Sequence, residues 1–175
     1  MASSLTRENV TLVTREEFRD AMARLGAAVH VITTAGPNGR GGFTASAVCS
    51  VTDSPPMLLV CMNRNSAQYD MFAGNGVLCV NTLGAQHQHL SGVFAGQPAM
   101  PLDERFGLSP WQAPVTGAPV LEDAVVAFDC RIKDTVQKST HCVFFAEVVA
   151  VRRGEERHEG LIYFDRVYHP VGCGA

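Results

Sequence analysis

The chain has 175 residues, a hydrophobic content of 46% and a formal net charge of -3, which suits one domain and argues against a nucleic-acid-binding protein, since such proteins usually carry a basic patch. The longest unbroken apolar run, residues 57–62, is far shorter than the roughly 18 residues that a membrane span needs. The N-terminus lacks the apolar core of a signal peptide. We therefore expect a cytoplasmic protein without a membrane partner.

The N-terminal region predicts an arm followed by a helix. We expect residues 1–13 to form a flexible arm and residues 14–172 to form a single domain. Thr14 and Glu17 have the spacing of a capping box, and apolar residues then recur at three- and four-residue intervals. This pattern predicts an amphipathic helix over residues 15–25.

A β-hairpin is predicted after this helix. Residues 27–34 are apolar and β-branched at their end, as in a strand. Glycine, proline and asparagine cluster over residues 36–42, which is typical of a turn. The partner strand of the hairpin is then the segment 42–56.

The remaining elements are mostly strands. We predict strands at 57–62, 77–83, 124–135, 141–152 and 161–168, and helices at 66–72 and 86–94. Residues 95–118 contain four prolines and little periodicity, so we expect a long loop or flap there. Because strands do not alternate regularly with helices, the pattern favours a mainly β fold, a barrel with peripheral helices, over a parallel doubly wound sheet.

The segment 42–56, GFTASAVCSVTDSPP, has an unusual composition for a strand. A buried strand is normally rich in valine, isoleucine and aromatic residues, whereas this one carries small and hydroxylated side chains. Such side chains leave space above the backbone and keep amide and hydroxyl groups available, as a flat ring with polar edges such as a flavin requires. The alternative interpretation is a polar strand on a solvent-exposed face. No GxGxxG or GxxxxGK[ST] motif occurs, so neither a Rossmann nor a P-loop nucleotide site is supported.

Further motifs occur in order along the chain, namely FRDAMARL at 18–25, NGVLCVN at 75–81, VFAG at 93–96, ERF at 104–106 and GLIYFDRVYHPV at 160–171. Together with 42–56 they resemble the flavin reductases that serve two-component monooxygenases, in particular the subgroups of the 4-hydroxyphenylacetate 3-monooxygenase reductase component and the pyrimidine-utilisation flavin reductase. The resemblance covers about residues 16–171. It implies an FMN-binding split barrel with peripheral helices. It also implies a homodimer that reduces free FMN or FAD with NADH or NADPH and supplies a separate monooxygenase.

The resemblance also implies which residues contact the flavin. They are Thr44, Ala45, Ser46, Ala47, Ser50, Asn65, Ser66 and Asn81. The sequence predicts that Ser66 caps the helix that follows it, and a helix start favours a phosphate by roughly 0.3–1 kcal/mol. In the resembled family the turn at 63–66 holds the flavin phosphate. The alternatives are plain capping with an exposed Arg64 and, for Asn81, a buried side chain bonded to backbone.

A second set of residues is implied to contact the nicotinamide dinucleotide. They are His141, Tyr163, Phe164, Asp165, Arg166 and His169. Aromatic rings can cover a flat ring, and a guanidinium can pair with phosphate. Ser139 and Arg166 each stand where a glycine is common in the family, and a histidine at the position of His141 is, taken alone, usually structural.

The protein's task in such a reaction is positioning, so we expect no catalytic nucleophile and no essential general base. We expect no metal site either, because His87 and His89 are two residues apart and do not share a helix face. The charged residues at 103–105 are interpreted as a solvated run on the flap.

Two other functions remain open from the sequence. A split-barrel oxidase would keep its flavin and oxidise a small substrate such as a pyridoxine phosphate, for which it would need a basic pocket. A non-catalytic module would bind flavin without turnover.

Overall fold

The computed structural model describes residues 12–154 and 159–172 of the chain. Of the predicted arm, residues 1–11 lie outside these ranges, while Leu12 and Val13 are exposed. Within the described ranges, no helix has both the length and the apolar character needed to cross a membrane.

The described residues form four α-helices and twelve strands. In chain order they are α1 (Arg15–Ala23), β1 (Ala27–Ala28), β2 (His30–Gly36), β3 (Gly39–Ala45), β4 (Val48–Asp53), β5 (Pro56–Asn63), α2 (Tyr69–Asn75), β6 (Val77–Thr82), α3 (Gln88–Phe94), α4 (Leu102–Phe106), β7 (Trp111–Gln112), β8 (Val120–Leu121), β9 (Val126–Lys138), β10 (His141–Arg153), β11 (Gly160–Phe164) and β12 (Val167–Val171). A short 3-10 helix, Ala85–His87, precedes α3.

Helix α1 confirms the predicted capping box. Thr14 Oγ1 accepts from Glu17 N at 3.1 Å, and Thr14 N donates to Glu17 Oε2 at 2.8 Å. The bond from Thr14 N, together with one that Thr14 Oγ1 donates to the same Oε2 at 2.8 Å, stabilises the ionised carboxylate and lowers the pKa of Glu17. The apolar face of the helix is not covered, since Phe18 is 59% and Met22 46% exposed.

A seven-stranded antiparallel sheet in the order β3-β2-β6-β9-β10-β5-β4 dominates the fold. β3 and β4 form its two edges, although only Ser46 and Ala47 separate them in the chain. Three chain steps span at most roughly 11 Å, so the sheet must curl until its edges approach each other at this point. The mainly β split-barrel fold expected from the sequence is confirmed.

The predicted single strand over 42–56 is two strands in the structure. β3 pairs with β2 and β4 pairs with β5 on the far edge of the sheet. Between them the backbone turns at Ser46 and Ala47, where Val48 N donates to Ser46 O at 3.0 Å and Cys61 N donates to Ala47 O at 3.1 Å. The small side chains that suggested one unusual strand therefore mark the corner between two.

A second sheet, β1-β11-β12, lies beside the barrel. The predicted strand at 27–34 is two strands, β1 and β2, with Val29 between them. Val29 makes backbone hydrogen bonds to β11 of the small sheet and to the residue that follows β6 of the large one. Val29 N donates to Leu161 O at 3.0 Å, and Leu83 N donates to Val29 O at 2.9 Å. The small sheet is thereby fixed at the ends of β2 and β6.

The predicted last strand, 161–168, is a hairpin formed by β11 and β12. Its turn residues Asp165 and Arg166 have φ values of 48° and 63°, the left-handed conformation of a two-residue hairpin turn, which favours glycine. Contacts with α1 stabilise the turn in this conformation. Asp165 N donates to Ala23 O at 2.6 Å, and the Arg166 guanidinium pairs with Asp20.

The core lies on both faces of β2 and β6, as alternate residues of a strand point to opposite sides. Val31 belongs to one apolar cluster and the adjacent Ile32 to the other, and both are fully buried. The cluster around Ile32 includes Phe72 of α2 and Phe144 of β10. The cluster around Val31 lies under α3, α4 and β8.

The predicted flap over residues 95–118 contains helix α4 and strand β7, so it is only partly irregular. Aromatic packing anchors it to α3. The ring centroid of Phe94 lies 5.2 Å from that of Phe106 and 5.8 Å from that of Trp111. These contacts join residues far apart in sequence and cannot be recognised from local periodicity.

His30 is a buried titratable residue at the start of β2, the strand next to one edge of the sheet. Its side chain is 8% exposed and its Nδ1 lies 3.0 Å from Thr82 Oγ1. Burial disfavours the charged imidazolium and lowers the pKa of His30 from 6.5 to about 4. The folded protein therefore holds this side chain neutral at pH values where the unfolded chain protonates it.

We predict that His30→Asn flattens the acid dependence of stability. Between the unfolded pKa of 6.5 and the folded value of about 4, only the unfolded chain binds the proton, so stability falls as the pH drops through this window. From about pH 7.5 to about pH 5 the wild type should lose about 2 kcal/mol more than the variant. Urea unfolding at both pH values measures the difference. Equal losses in the two proteins would show that His30 does not titrate as described.

Candidate functional site

Two adjoining cavities open at the end of β3. The first, which we call the tyrosine cavity, has a volume of about 240 Å³ and is lined by residues that include Thr44, Ala45, Ser46, Ser91, Tyr163 and Tyr168. The second, which we call the Arg105 cavity, has a volume of about 420 Å³ and is lined by residues that include Thr44, Asn63, Ser66, Gln68, Ala95 and Arg105. Thr44 and Ala95 line both, so the two cavities adjoin, and we refer to them together as the cleft.

The glycines that precede the floor of this cleft allow helices to lie close to β3. A Cβ atom on Gly41 would lie 2.6 Å from Met71 Sδ, and one on Gly42 would lie 2.7 Å from Phe94 Cε1. A side chain at Gly41 would displace the ends of Met71 and Gln68, and one at Gly42 would displace the ring of Phe94. Thr44 Oγ1 donates to Ser91 O at 2.6 Å and fastens α3 at this distance.

The wall of the tyrosine cavity is a cross-strand pair of aromatic rings. Tyr163 of β11 lies opposite Tyr168 of β12, and their ring centroids are 5.0 Å apart. The Tyr168 hydroxyl is hydrogen-bonded to Oγ of the fully buried Ser91 at 2.7 Å. This bond ties the small sheet to α3. Ser91 therefore holds both the wall, through Tyr168, and the floor, through Thr44.

The turn between β5 and α2 reaches the Arg105 cavity in a way that differs from the prediction. α2 begins at Tyr69, and the residue before it, Gln68, has a helical conformation and no side-chain cap. Ser66 is therefore not the helix cap. Its Oγ accepts from Gln68 N at 3.3 Å, while Gln68 Oε1 accepts from Gly42 N at 2.7 Å. The turn thus contributes Asn63 and Ser66 side chains to the cavity rather than a helix terminus.

Asn81 is a core residue, as the alternative interpretation from the sequence described. It is fully buried, its Nδ2 donates to Val31 O at 3.0 Å, and its Oδ1 accepts from Leu121 N at 2.8 Å. Further contacts join Nδ2 to Thr33 Oγ1 and Pro119 O. With its hydrogen bonds used inside the protein, Asn81 is removed from the candidate flavin contacts.

Three other predicted flavin residues line neither cavity. Ala47 is at the corner after β3, Ser50 is exposed on β4, and Asn65 is in the 63–66 turn, where its N donates to Asn63 Oδ1 at 2.9 Å. The structure therefore places Thr44, Ala45, Ser46 and Ser66 along the cleft, and these three outside its described lining.

His141 starts β10 directly opposite Asn63 of β5. It is exposed, and its Nδ1 lies 2.9 Å from Thr140 Oγ1. The preceding turn contains Ser139 at a φ of 50°, which explains physically why glycine is favoured there. The structure thus brings His141 next to a residue of the Arg105 cavity, although His141 lines neither cavity.

The other predicted nicotinamide residues lie on the β11–β12 hairpin, and of these Tyr163 alone lines a described cavity. The Phe164 and His169 rings are 6.0 Å apart across the hairpin. Asp165 and Arg166 form its turn and bond to α1. Hydrogen bonding to Asp20 raises the pKa of Arg166 and keeps this guanidinium engaged with the helix.

Several lining residues were not among the predicted flavin or nicotinamide contacts. They are Gln68, Ser91, Ala95, Arg105 and Tyr168. Arg105 belonged to the charge run interpreted as solvated, yet its Nε donates to Met100 O at 2.8 Å and it lines the larger cavity. Tyr168 would have been found by recognising the turn at 165–166, which places it opposite Tyr163.

The cleft combines three properties that suit a flat, polar-edged ring carrying an acidic tail. Its floor has short side chains, its wall is aromatic, and its larger half contains a guanidinium with hydroxyl and amide groups. No cluster of three or more histidine, cysteine, aspartate or glutamate side chains in the described part of the chain could hold a metal ion.

We predict that Tyr168→Phe lowers the free energy of unfolding by about 1 kcal/mol, because it removes one hydrogen bond and leaves buried Ser91 Oγ without it. Urea unfolding measures the loss. Tyr163→Phe is the matched control, since its hydroxyl makes no hydrogen bond to another described residue, and it should change stability much less. In a Ser91→Ala background the Tyr168→Phe change should lose most of its effect; an undiminished effect would contradict the proposed anchor.

Comparisons with known proteins give a consistent result. The model of the family described as "Flavin reductase like domain" matches residues 22–172. A protein of Ancylobacter novellus named FMN reductase (NADH) RutF is 59% identical over 159 residues, which cover 91% of this chain and 86% of the relative. A Cronobacter sakazakii protein of the same name is 54% identical and covers 91% and 96% of the two chains. The solved structure of flavin reductase PheA2 has a TM-score of 0.81 at 29% identity and covers 91% of this chain and 99% of that one.

Proposed function

Because the chain belongs to the flavin reductase-like domain family, we propose that it reduces free flavin, FMN or FAD, with NADH or NADPH. The names of the similar proteins from Ancylobacter and Cronobacter favour FMN and NADH within these pairs. One observation carries the proposal. The small-residue floor at Thr44–Ser46 and the aromatic wall at Tyr163 face one cavity.

The residues of the cleft fit a flavin. Backbone amides can approach ring carbonyls and nitrogens only where side chains are short, as at Ala45 and Ser46, and the Thr44 and Ser46 hydroxyls add polar groups. The Asn63 and Ser66 side chains of the adjoining cavity would hold the phosphate end. When bound, the flavin supplies the ring system that accepts a hydride.

The chain's own contribution is to hold two rings in contact and keep water away. Tyr163 and Tyr168 would cover the nicotinamide side of the cleft, and His141, Phe164 and His169 would contact the dinucleotide outside the described cavities. Productive transfer requires reacting atoms to lie roughly 3–3.5 Å apart. Fixed walls serve this requirement, and the bond from Tyr168 to Ser91 fixes one of them.

We further propose that the protein is a homodimer and passes reduced flavin to a separate monooxygenase, as the sequence resemblance implies. The uncovered face of α1 supports an association with a second copy, since Phe18, Met22 and Leu25 are 59%, 46% and 61% exposed. Apolar side chains in such a row normally mark an interaction surface. A cytoplasmic location remains an expectation from the sequence.

The test of the function is steady-state oxidation of NADH and of NADPH in the presence of FMN, FAD or riboflavin. The proposal expects oxidation of reduced pyridine nucleotide that depends on added free flavin. Turnover of a pyridoxine phosphate would instead support the oxidase. Tight flavin binding without oxidation of either nucleotide would support the non-catalytic module.

We predict that Ser46→Leu abolishes flavin binding, because a branched four-carbon side chain would fill the floor of the tyrosine cavity. Quenching of flavin fluorescence on titration measures binding, and circular dichroism checks the fold. Ser54→Leu, in the exposed β4–β5 turn, is the matched control and should bind flavin normally. Normal flavin titration of Ser46→Leu would refute the placement of the ring at this floor.

We predict that His141→Ala raises the Michaelis constant for NADH while the affinity for flavin changes little. The expected rise is several-fold, since the loss of one hydrogen bond of about 1 kcal/mol weakens binding about fivefold. Initial rates at varied NADH and a separate flavin titration measure the two quantities. Equal losses of both would mean that His141 supports the 63–66 turn opposite it rather than the dinucleotide.

A further inference from the structure

The Arg105 cavity has one charged side chain among the described residues that line it, and that charge is positive. Its other polar groups come from Asn63, Ser66, Gln68 and Thr44. In the described part of the chain, none of the hydrogen bonds uses Asn63 Nδ2, Gln68 Nε2 or the two Nη groups of Arg105. Several donors without a protein acceptor therefore meet in a cavity without a carboxylate.

The position of Arg105 is fixed by the protein. Its Nε donates to Met100 O at 2.8 Å, which leaves the two Nη groups as free donors. Its helix, α4, is anchored by Phe106, which is 4% exposed and has the Arg40 guanidinium 4.5 Å above its ring. Arg40 also pairs with Asp103 at 2.7 Å. This ion pair ties α4 to β3, the strand that carries Arg40.

Arg64 is the other cation near the 63–66 turn, and its geometry is different. It is exposed, its Nη1 lies 3.5 Å from Ser139 O, and it does not line the cavity. The turn therefore contributes neutral side chains to the cleft, and the positive charge comes from α4, about forty residues further along the chain.

We propose that Arg105 is the specificity-determining residue for the phosphate of the flavin, so that the protein prefers phosphorylated flavins to riboflavin. This proposal rests on the proposed function. A guanidinium binds phosphate oxygens through charge-assisted hydrogen bonds, which are roughly twice as strong as neutral ones. The Ser66 hydroxyl and the Asn63 amide complete the site. FMN and FAD share the phosphate on the ribityl chain, and riboflavin lacks it.

The test measures binding to the full-length protein without bound flavin, by quenching of the fluorescence of FMN, FAD and riboflavin. Arg105→Met keeps the alkyl stem and removes the charge. It should weaken FMN and FAD binding at least about tenfold and leave riboflavin binding within about twofold. Arg64→Met is the matched control and should not change the preference for FMN. Arg105→Gln retains a donor for Met100 O and provides a second neutral variant should Arg105→Met fail to fold.

Several outcomes would overturn the proposal. Equal weakening of FMN and riboflavin by loss of Arg105 would show that the residue merely supports α4. A selective loss in Arg64→Met would assign the phosphate to Arg64, and weakening of FAD alone would place Arg105 at the adenylate half. Equal wild-type affinity for FMN and riboflavin would remove the specificity and leave the proposed function intact. Wild-type protein that binds none of the three flavins would instead defeat the proposed function.

Discussion

A two-residue connection joins opposite edges of the seven-stranded sheet, and the cleft depends on it. Ser46 and Ala47 carry the chain from β3 to β4, so the sheet has to close at this corner. The backbone there leaves the regular ladder, and Ala47 O bonds across to Cys61 N. Bulky side chains at the corner would occupy the space beside the strand ends. The residues that close the barrel are therefore the ones that leave room for a ligand.

A few hydrogen bonds and packing contacts fix the shape of the cleft beside this corner. Gly42 lets Phe94 lie against β3, and Thr44 and Tyr168 both bond to Ser91, one through its backbone oxygen and one through its side chain. A single residue of α3 thus sets the distance between floor and wall. The larger half of the cleft is organised separately, because Gln68 ties the β5–α2 turn to Gly42 while aromatic packing holds α4 over it. The positive charge of Arg105 and the aromatic surface of Tyr163 and Tyr168 consequently come from different parts of the chain.

The sequence was sufficient for features with a local chemical signature and insufficient for those made by distant contacts. The capping box at Thr14 and the mainly β fold follow from composition and spacing, and the structure confirms them. The small residues over 44–46 suggested a surface for a flat ring, and the structure places them along a cavity. The hairpin turn was missed because Asp165 and Arg166 are not glycines, and their conformation is supported by α1. Arg105 was not predicted as a flavin contact because a charged run in a proline-rich segment looks solvated unless the packing of Phe106 on Phe94 is known.

The attachment of α1 has a mechanical consequence. None of its residues is buried, and the hydrogen bond at Ala23 O and the ion pair of Asp20 both end on the same two-residue turn. That turn joins the two strands that carry the tyrosine pair. A pull on the N-terminal segment, such as a bulky fusion partner exerts, is therefore transmitted first to the aromatic wall and reaches the floor on β3 through Ser91.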